Sequence, residues 1–244
     1  MKAMILAAGR GERMRPLTDS CPKPLLKVRG RPLSLWQVLN LVRAGITDIV
    51  INHAHLGHMI EEALGDGSRY GAQIVYSAEG TALETAGGIA RARHLLGDAP
   101  FVALSGDIYA PHFDFTQVLD ALQDNDVWGN PHPVGKRDIA WLYLVKNPPF
   151  HLQGDFALSN YTIRSDGAPK HTFANIGVYR PEMFDGIVPG ERAKLGPLLH
   201  DYAARGLIGG ELYNGRWENV GTPEQLAALN APLNVALNAP PTGH

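Results

Sequence analysis

Met4-Ile5-Leu6-Ala7-Ala8-Gly9-Arg10-Gly11-Glu12-Arg13-Met14-Arg15-Pro16-Leu17-Thr18, with Pro22-Lys23-Pro24 close behind, is the stretch that decides this chain. A short apolar strand runs directly into small residues and two glycines. Gly9 and Gly11 let the backbone turn tightly and bring its N–H groups against an anion, an approach that a Cβ would obstruct. Leu6, Ala7, Ala8, Gly9 and Gly11 therefore read as a backbone cradle for a polyphosphate. Arg13 and Lys23 add fixed charge to it, and Pro22 and Pro24 restrict the backbone that aims Lys23. Two commoner glycine signatures do not fit. A dinucleotide fingerprint needs a third glycine where Met14 stands, and a Walker A loop needs Gly-Lys-Ser/Thr after four intervening residues.

Outward from that loop, strands and helices alternate. Apolar runs predict strands over 3–6, 49–52, 72–77 and 101–105, and helical spacing predicts helices over 33–44, 56–64, 84–95 and 114–122. This rhythm predicts a parallel, doubly wound α/β sheet with ligands outside the carboxyl ends of its strands. Residues 124–136 hold prolines, asparagines and glycines and read as an exposed insertion. Shorter strands follow over 140–145, 156–158, 161–164, 173–179, 209–214 and 217–220, with helices over 195–204 and 223–229. The expectation is one domain over 1–230, its halves near 1–122 and 138–230, with a loosely held Asn/Ala/Pro-rich tail over 231–244.

With 244 residues, 45% apolar and 19% charged, the chain is long enough to bury a full core. A formal charge of −2 offers no general attraction to nucleic acid or to an anionic membrane, so phosphate affinity rests on local placement of Arg and Lys. No apolar run approaches the ~20 residues of a membrane span, and the N-terminus lacks a basic-then-apolar leader, so the expected location is the cytoplasm. Cys21 is the only cysteine, which excludes an intramolecular disulfide and a thiolate zinc cage. The ten histidines show no metal-ligand spacing.

Leu104-Ser105-Gly106-Asp107 puts a carboxylate just past an apolar strand, on the same edge as the glycine loop. Hard oxygen suits Mg²⁺, and Asp107 is the first metal ligand expected. Ser77-Ala78-Glu79-Gly80 and Leu83-Glu84-Thr85-Ala86-Gly87-Gly88 follow the third strand. Backbone near Gly80 and Gly88 can meet a base edge while Glu79 accepts a base or ribose hydrogen bond. Alternatively, Gly87-Gly88 serves close packing at a helix start.

The loop, the Lys-Pro beyond it and the Gly-Asp together resemble the sugar-phosphate nucleotidyltransferases, the nucleoside-diphosphate-sugar pyrophosphorylases. The resemblance runs from Met1 to about Leu229. It implies a Rossmann-like doubly wound mixed sheet with a small sugar-binding annex in the second half. It implies Arg13, Lys23 and Asp107 as the catalytic set, a base-reading loop at Glu79–Gly88, and a magnesium ion joining a nucleoside triphosphate to a sugar 1-phosphate. The family's second metal ligand falls in Trp217-Glu218-Asn219-Val220-Gly221-Thr222, where Asn219 replaces the usual aspartate. Family position also points to Asp155 and Asn175 for sugar hydroxyls and to Lys194 for the sugar phosphate, since the usual Glu-Lys-Pro is not in register here.

Segments such as Leu83-Glu84-Thr85-Ala86-Gly87-Gly88, Asn147-Pro148 and Gly154-Asp155-Phe156 resemble the short-form N-acetylmuramate α-1-phosphate uridylyltransferases of cell-wall recycling. The same form also resembles mannose-1-phosphate guanylyltransferases and heptose-phosphate nucleotidyltransferases. Two readings of other classes are a catalytically silent sugar-nucleotide sensor, favoured only by Asn219, and a nicotinamide oxidoreductase. The latter needs an acidic residue where Asn52 ends the second strand.

Overall fold

The computed structural model describes residues 1–119, 121–122 and 138–232; the expected insertion at 124–136 and almost all of the expected tail lie outside them. Strand β1 (Lys2–Leu6) leads into the glycine loop and a one-turn helix α1 (Leu17–Ser20). A small hairpin of β2 (Lys27–Val28) and β3 (Arg31–Pro32) opens helix α2 (Leu33–Arg43). Then come β4 (Asp48–His53), α3 (Gly57–Leu64), β5 (Gln73–Ala78), α4 (Glu84–Leu96), β6 (Phe101–Ser105) and the short β7 (Ile108–Tyr109). The second half holds β8 (Ala140–Val145), β9 (Phe156–Ser159), β10 (Thr162–Arg164), β11 (Lys170–Tyr179), α5 (Leu195–Ala204), β12 (Ile208–Leu212), β13 (Glu218–Asn219) and α6 (Pro223–Asn230).

Nine strands form one mixed sheet in the order β5-β4-β1-β6-β11-β8-β12-β10-β9. The first four are mutually parallel, as the alternation with helices requires, and β11 joins β6 in the antiparallel sense. Strand alternation distributes the core. Ala3, Ile5, Ile49, Ile51, Val102 and Leu104 enter one apolar cluster, while Met4, Val50, Phe101 and Ala103 enter the cluster on the opposite face. A third cluster packs Met14 behind the glycine loop against Leu26, Val28, Leu33, Tyr109, Val220 and Leu229. It fastens the last strand and helix to the loop that the first strand begins.

Two expectations need correction. Of the helix expected over 114–122, the described residues form only a 3₁₀ segment, Phe115–Leu119, because the Asp114 carboxylate accepts from Thr116 N–H at 2.9 Å and from its hydroxyl at 2.7 Å. That side chain closes a turn of its own in place of α-helical bonds. The strand expected over 161–164 starts one residue later. Asn160 and Tyr161, at φ 46° and 59°, form the two-residue turn of the β9–β10 hairpin, whose register pairs Ser159 with Thr162.

Candidate active site

The carboxyl ends of β1, β4, β5 and β6 are joined by one polar network. The N–H of Gly106 donates to Leu6 O at 2.7 Å, and a Cβ on Gly106 would stand 2.8 Å from that oxygen, so the close approach requires glycine. The N–H of Ala7 donates to Asn52 Oδ1 at 2.9 Å, and Asn52 Nδ2 donates to Glu79 Oε1 at 2.6 Å. The other carboxylate oxygen of Glu79 accepts from Leu83 N–H at 2.8 Å. Glu79 is buried and lines none of the three cavities described below; its carboxylate shapes the loop before α4. Gly88 packs beneath it, where a Cβ would come within 2.5 Å of Glu79 Oε1 and 2.8 Å of Asn52 Nδ2. Of the two readings of Gly87-Gly88, the geometry favours close packing. Ala193 O caps the helix start by accepting from Ala86 and Gly87 N–H, both at 3.0 Å. Gly80 turns the chain at φ 69°.

In the glycine loop itself, Gly11 adopts φ 69° and fits tightly beneath Thr18 and Lys23. Gly9 differs, because a Cβ there would meet no protein atom within 4 Å: the space it faces belongs to the cleft. The three arginines also differ. Arg10 donates to Thr18 O at 2.7 Å and pairs with Asp19 at 2.9 Å, and Arg15 pairs with Asp19 at 3.1 Å and Glu12 at 3.3 Å. Arg13 has no acidic partner among the described residues, and Gly221 packs against its guanidinium.

Three adjoining cavities follow from this framework. One of 480 Å³ is lined by Leu6, Ala7, Ala8, Gly9, Lys23, Asn52 and Asp107, among others. A second of 560 Å³ shares Leu6, Glu84, Thr85 and Ser105 with it and extends over β9, β11 and α5. A third of 240 Å³, with Gly9, Gly11, Arg13, Lys23, Asp107 and Gly221 on its walls, adjoins both, through Lys23 and Asp107 on one side and Arg13 on the other. Lys23 Nζ lies 2.5 Å from Asp107 Oδ2 at the junction.

Strand β13 brings Asn219 to this junction by pairing with β7, Asn219 opposite Ile108, and Val220 N–H donates to Asp107 O at 2.9 Å. Asn219 Oδ1 is shielded from solvent and has no hydrogen-bond partner among the described residues. Glu218 is exposed, as strand alternation requires. No cluster of three or more His, Cys, Asp or Glu able to hold a metal occurs among the described residues. An orphaned amide oxygen and one carboxylate nevertheless fit a hard divalent cation that draws its remaining ligands from phosphate and water.

The larger cavity collects the residues expected at the sugar end: Asp155, Asn175 and Lys194 all line it, with Arg13 and Asn219. Asn175 sits at φ 55° where the β11–β8 register breaks between Phe173 and Gly177, a bulge that redirects side chains on the cavity wall. Trp217 Nε1 donates to Ala174 O at 2.9 Å and ties the approach to β13 onto that bulge. Asp155 is occupied by the chain itself, accepting from Phe173 N–H at 2.8 Å and contacting His151 Nε2 at 2.9 Å. Sequence reasoning missed Asn52, Thr85, Ser105, Arg192 and His200 as cleft-lining residues. Asn52 had a readable signal, a polar residue closing an apolar strand beside the glycine loop.

This architecture is that of a nucleotidyl transferase. The family model described as Nucleotidyl transferase matches residues 2–129, and the chain belongs to that family. It is 49% identical over 235 residues to the N-acetylmuramate alpha-1-phosphate uridylyltransferase of Neisseria meningitidis serogroup B, covering 95% of this chain and 97% of that one. It is 31% identical to the low-salt glycan biosynthesis nucleotidyltransferase Agl11 of Haloferax volcanii, over 94% of this chain and 65% of the relative. The fold matches a Bacillus anthracis chain crystallised in complex with sucrose, at a TM-score of 0.77 and 23% identity, covering 94% of each. Among the described residues no helix is long and apolar enough to cross a membrane.

Proposed function

We propose that this enzyme joins UTP to N-acetylmuramic acid α-1-phosphate, releasing pyrophosphate and forming the UDP-sugar, a reaction suited to salvage of cell-wall sugar. The observation that carries the reading is the junction of the cavities, where Lys23, Asp107 and Arg13 stand between a glycine-lined pocket and a larger one that Arg13 and Asn219 also line. The smaller pocket takes the nucleotide and the larger one the sugar phosphate.

The chemistry is a displacement at the α-phosphorus. A sugar-phosphate oxygen forms the new P–O bond, the bond to the β-phosphate oxygen breaks, and pyrophosphate leaves with that electron pair. A phosphate monoester with a second pKa of about 6 is already ionised at neutral pH, so no protein group has to remove a proton. Two unit charges 4 Å apart repel by ~4 kcal/mol at an effective dielectric near 20, and the assembled phosphates carry several. Lys23 and Arg13 offset that repulsion and hold attacking oxygen and α-phosphorus in line. Asp107 and Asn219 are the residues that would hold Mg²⁺, which when bound supplies further neutralisation of phosphate charge. Lys194 takes the sugar phosphate, and the wall around Asp155 and Asn175 faces the sugar hydroxyls.

The test is a pyrophosphate-release screen of UTP, dTTP, GTP and CTP against a panel of sugar 1-phosphates. The highest kcat/KM is expected for UTP with N-acetylmuramic acid α-1-phosphate. A preference for GTP with mannose 1-phosphate, or for glucose 1-phosphate, overturns the substrate assignment; absence of pyrophosphate release with every pair overturns the reaction.

A further inference from the structure

Charge accounting in the 560 Å³ cavity leaves one protonatable side chain with nothing to do. Six Arg, Lys, His, Asp or Glu side chains among the described residues line it: Arg13, Glu84, His151, Asp155, Lys194 and His200. Both carboxylates are committed to the chain. Glu84 pairs with Arg192 at 3.0 Å, and Asp155 is held by His151 at 2.9 Å and by the N–H of Phe173 at 2.8 Å. That pairing also consumes His151. Arg13 stands at the junction with the glycine loop, beside Lys23 and Asp107, where the triphosphate is placed. Lys194 is allotted to the sugar phosphate. His200 remains.

Its position is defined. Helix α5 lines the cavity with one face, Leu195, Gly196, Leu199 and His200, and the imidazole lies against Phe156 with ring centroids 4.6 Å apart and planes at 34°. The ring is backed by Phe156 on one side and exposed on the other, and neither nitrogen has a hydrogen-bond partner among the described residues. Lys194 is the N-cap of α5 and His200 lies six positions further on, about 9 Å along the helix axis between the two backbones. Apart from Arg13 at the phosphate junction, the cavity thus presents two cationic or cation-capable groups carried by α5 and its N-cap, and no carboxylate without a partner among its described lining residues.

We propose that His200 recognises a second anionic group on the sugar, the carboxylate of the lactyl ether of N-acetylmuramic acid α-1-phosphate, while Lys194 holds the phosphate. The inference rests on the substrate reading above and adds the residue that distinguishes this sugar from a neutral one. An imidazolium–carboxylate contact is a charge-assisted hydrogen bond, and a neutral imidazole can still donate its one N–H to the same carboxylate.

The test compares N-acetylmuramic acid α-1-phosphate with N-acetylglucosamine α-1-phosphate, which lacks only the lactyl group, using UTP and wild type, His200→Ala, His200→Gln and His200→Lys. The quantity read is the ratio of the two kcat/KM values. Wild type is expected to favour the muramic substrate. In His200→Ala and His200→Gln that ratio should fall roughly ten- to hundredfold, the range for a lost hydrogen bond to a charged group, with the loss in KM of the muramic substrate. His200→Lys should restore part of it. A purely structural His200 lowers both substrates together, so an unchanged ratio overturns the assignment while leaving the substrate reading intact. A wild type without preference for the muramic sugar overturns both.

Discussion

Lys23 Nζ and Asp107 Oδ2 lie 2.5 Å apart across 84 positions of sequence, in a pair whose side chains retain 11% and 26% of their exposure. The cation proposed for the phosphates and the carboxylate proposed for the metal thus neutralise one another in the structure. Lys23→Ala and Asp107→Ala should each lower kcat by about 10²–10³, the scale for losing one charge-stabilising group. The double variant should lose less than the product of the two, because each single change also strands its partner. Pyrophosphate release from the four proteins checks this, and multiplicative losses would contradict it.

Arg13 and Arg15 are two residues apart and differ in their partners. Arg15 is engaged by Glu12 and Asp19, whereas Arg13 has no acidic partner among the described residues and lines two of the cavities. Arg13→Ala should cost orders of magnitude in kcat/KM, and Arg15→Ala only a few-fold. Equal losses in steady-state kinetics would remove the distinction.

Glycine substitutions separate packing from ligand approach. Alanine at Gly88 would press on Glu79 and Asn52, whose hydrogen bonds fix the loop; alanine at Gly9 would touch no protein atom. Gly88→Ala should therefore lower stability by about 1–3 kcal/mol. For a chain of this size each kcal/mol corresponds to about 2–4 °C in Tm. Gly9→Ala should melt like wild type but raise KM for UTP, because its Cβ enters the space assigned to phosphate. Thermal melts and kinetics of the two variants test both halves.

The first half of the chain was largely legible because its signals are local. Apolar runs of strand length, helical spacing and the Gly9–Lys23 loop each follow from near neighbours, and the parallel strands appear where the alternation requires. The glycine loop, Asp107 and the 560 Å³ cavity's Asp155, Asn175, Lys194 and Asn219 were named from sequence and found on the cleft walls. What was not legible depends on tertiary partners. That the Glu79 oxygens accept from Asn52 and Leu83 is not visible in the sequence, and Arg10, Arg13 and Arg15 cannot be ranked before their carboxylates are placed. His200 stands on an ordinary amphipathic helix and acquires a reading only when Phe156 and the cavity are set beside it.

Asp138, next to the start of β8, gives a pH signature of its own. Burial pushes its carboxyl up to about 6, against the counteracting field of Arg180. Its Oδ1 has no hydrogen-bond partner among the described residues. The native state therefore keeps the proton to about pH 6, while the unfolded chain releases it near the ordinary value of about 4. Between these values the native state binds more protons, so this group's contribution to stability falls as pH rises and stays lost above the window. Asp138→Asn removes the dependence. The stability of the variant relative to wild type should grow by on the order of 2 kcal/mol from pH 4 to pH 7 and then level off. Urea unfolding across that range checks it, and a flat difference would refute the assignment.

Asn219 supplies the last prediction. Its Oδ1 is buried without a partner, beside the segment that carries Asp107, so the residue is built as an acceptor awaiting a donor or a cation. A neutral amide oxygen contributes less to Mg²⁺ binding than a carboxylate, and the deficit is offset only when the nucleotide brings its own phosphate oxygens. Asn219→Asp should then shift the Mg²⁺ midpoint of activity to lower concentration and give the nucleotide-free protein measurable Mn²⁺ binding by calorimetry. Asn219→Ala should shift the midpoint upward. The pair of shifts has opposite sign only if residue 219 is a ligand; a structural residue would lower activity in both variants at every magnesium concentration and leave the midpoint where it was.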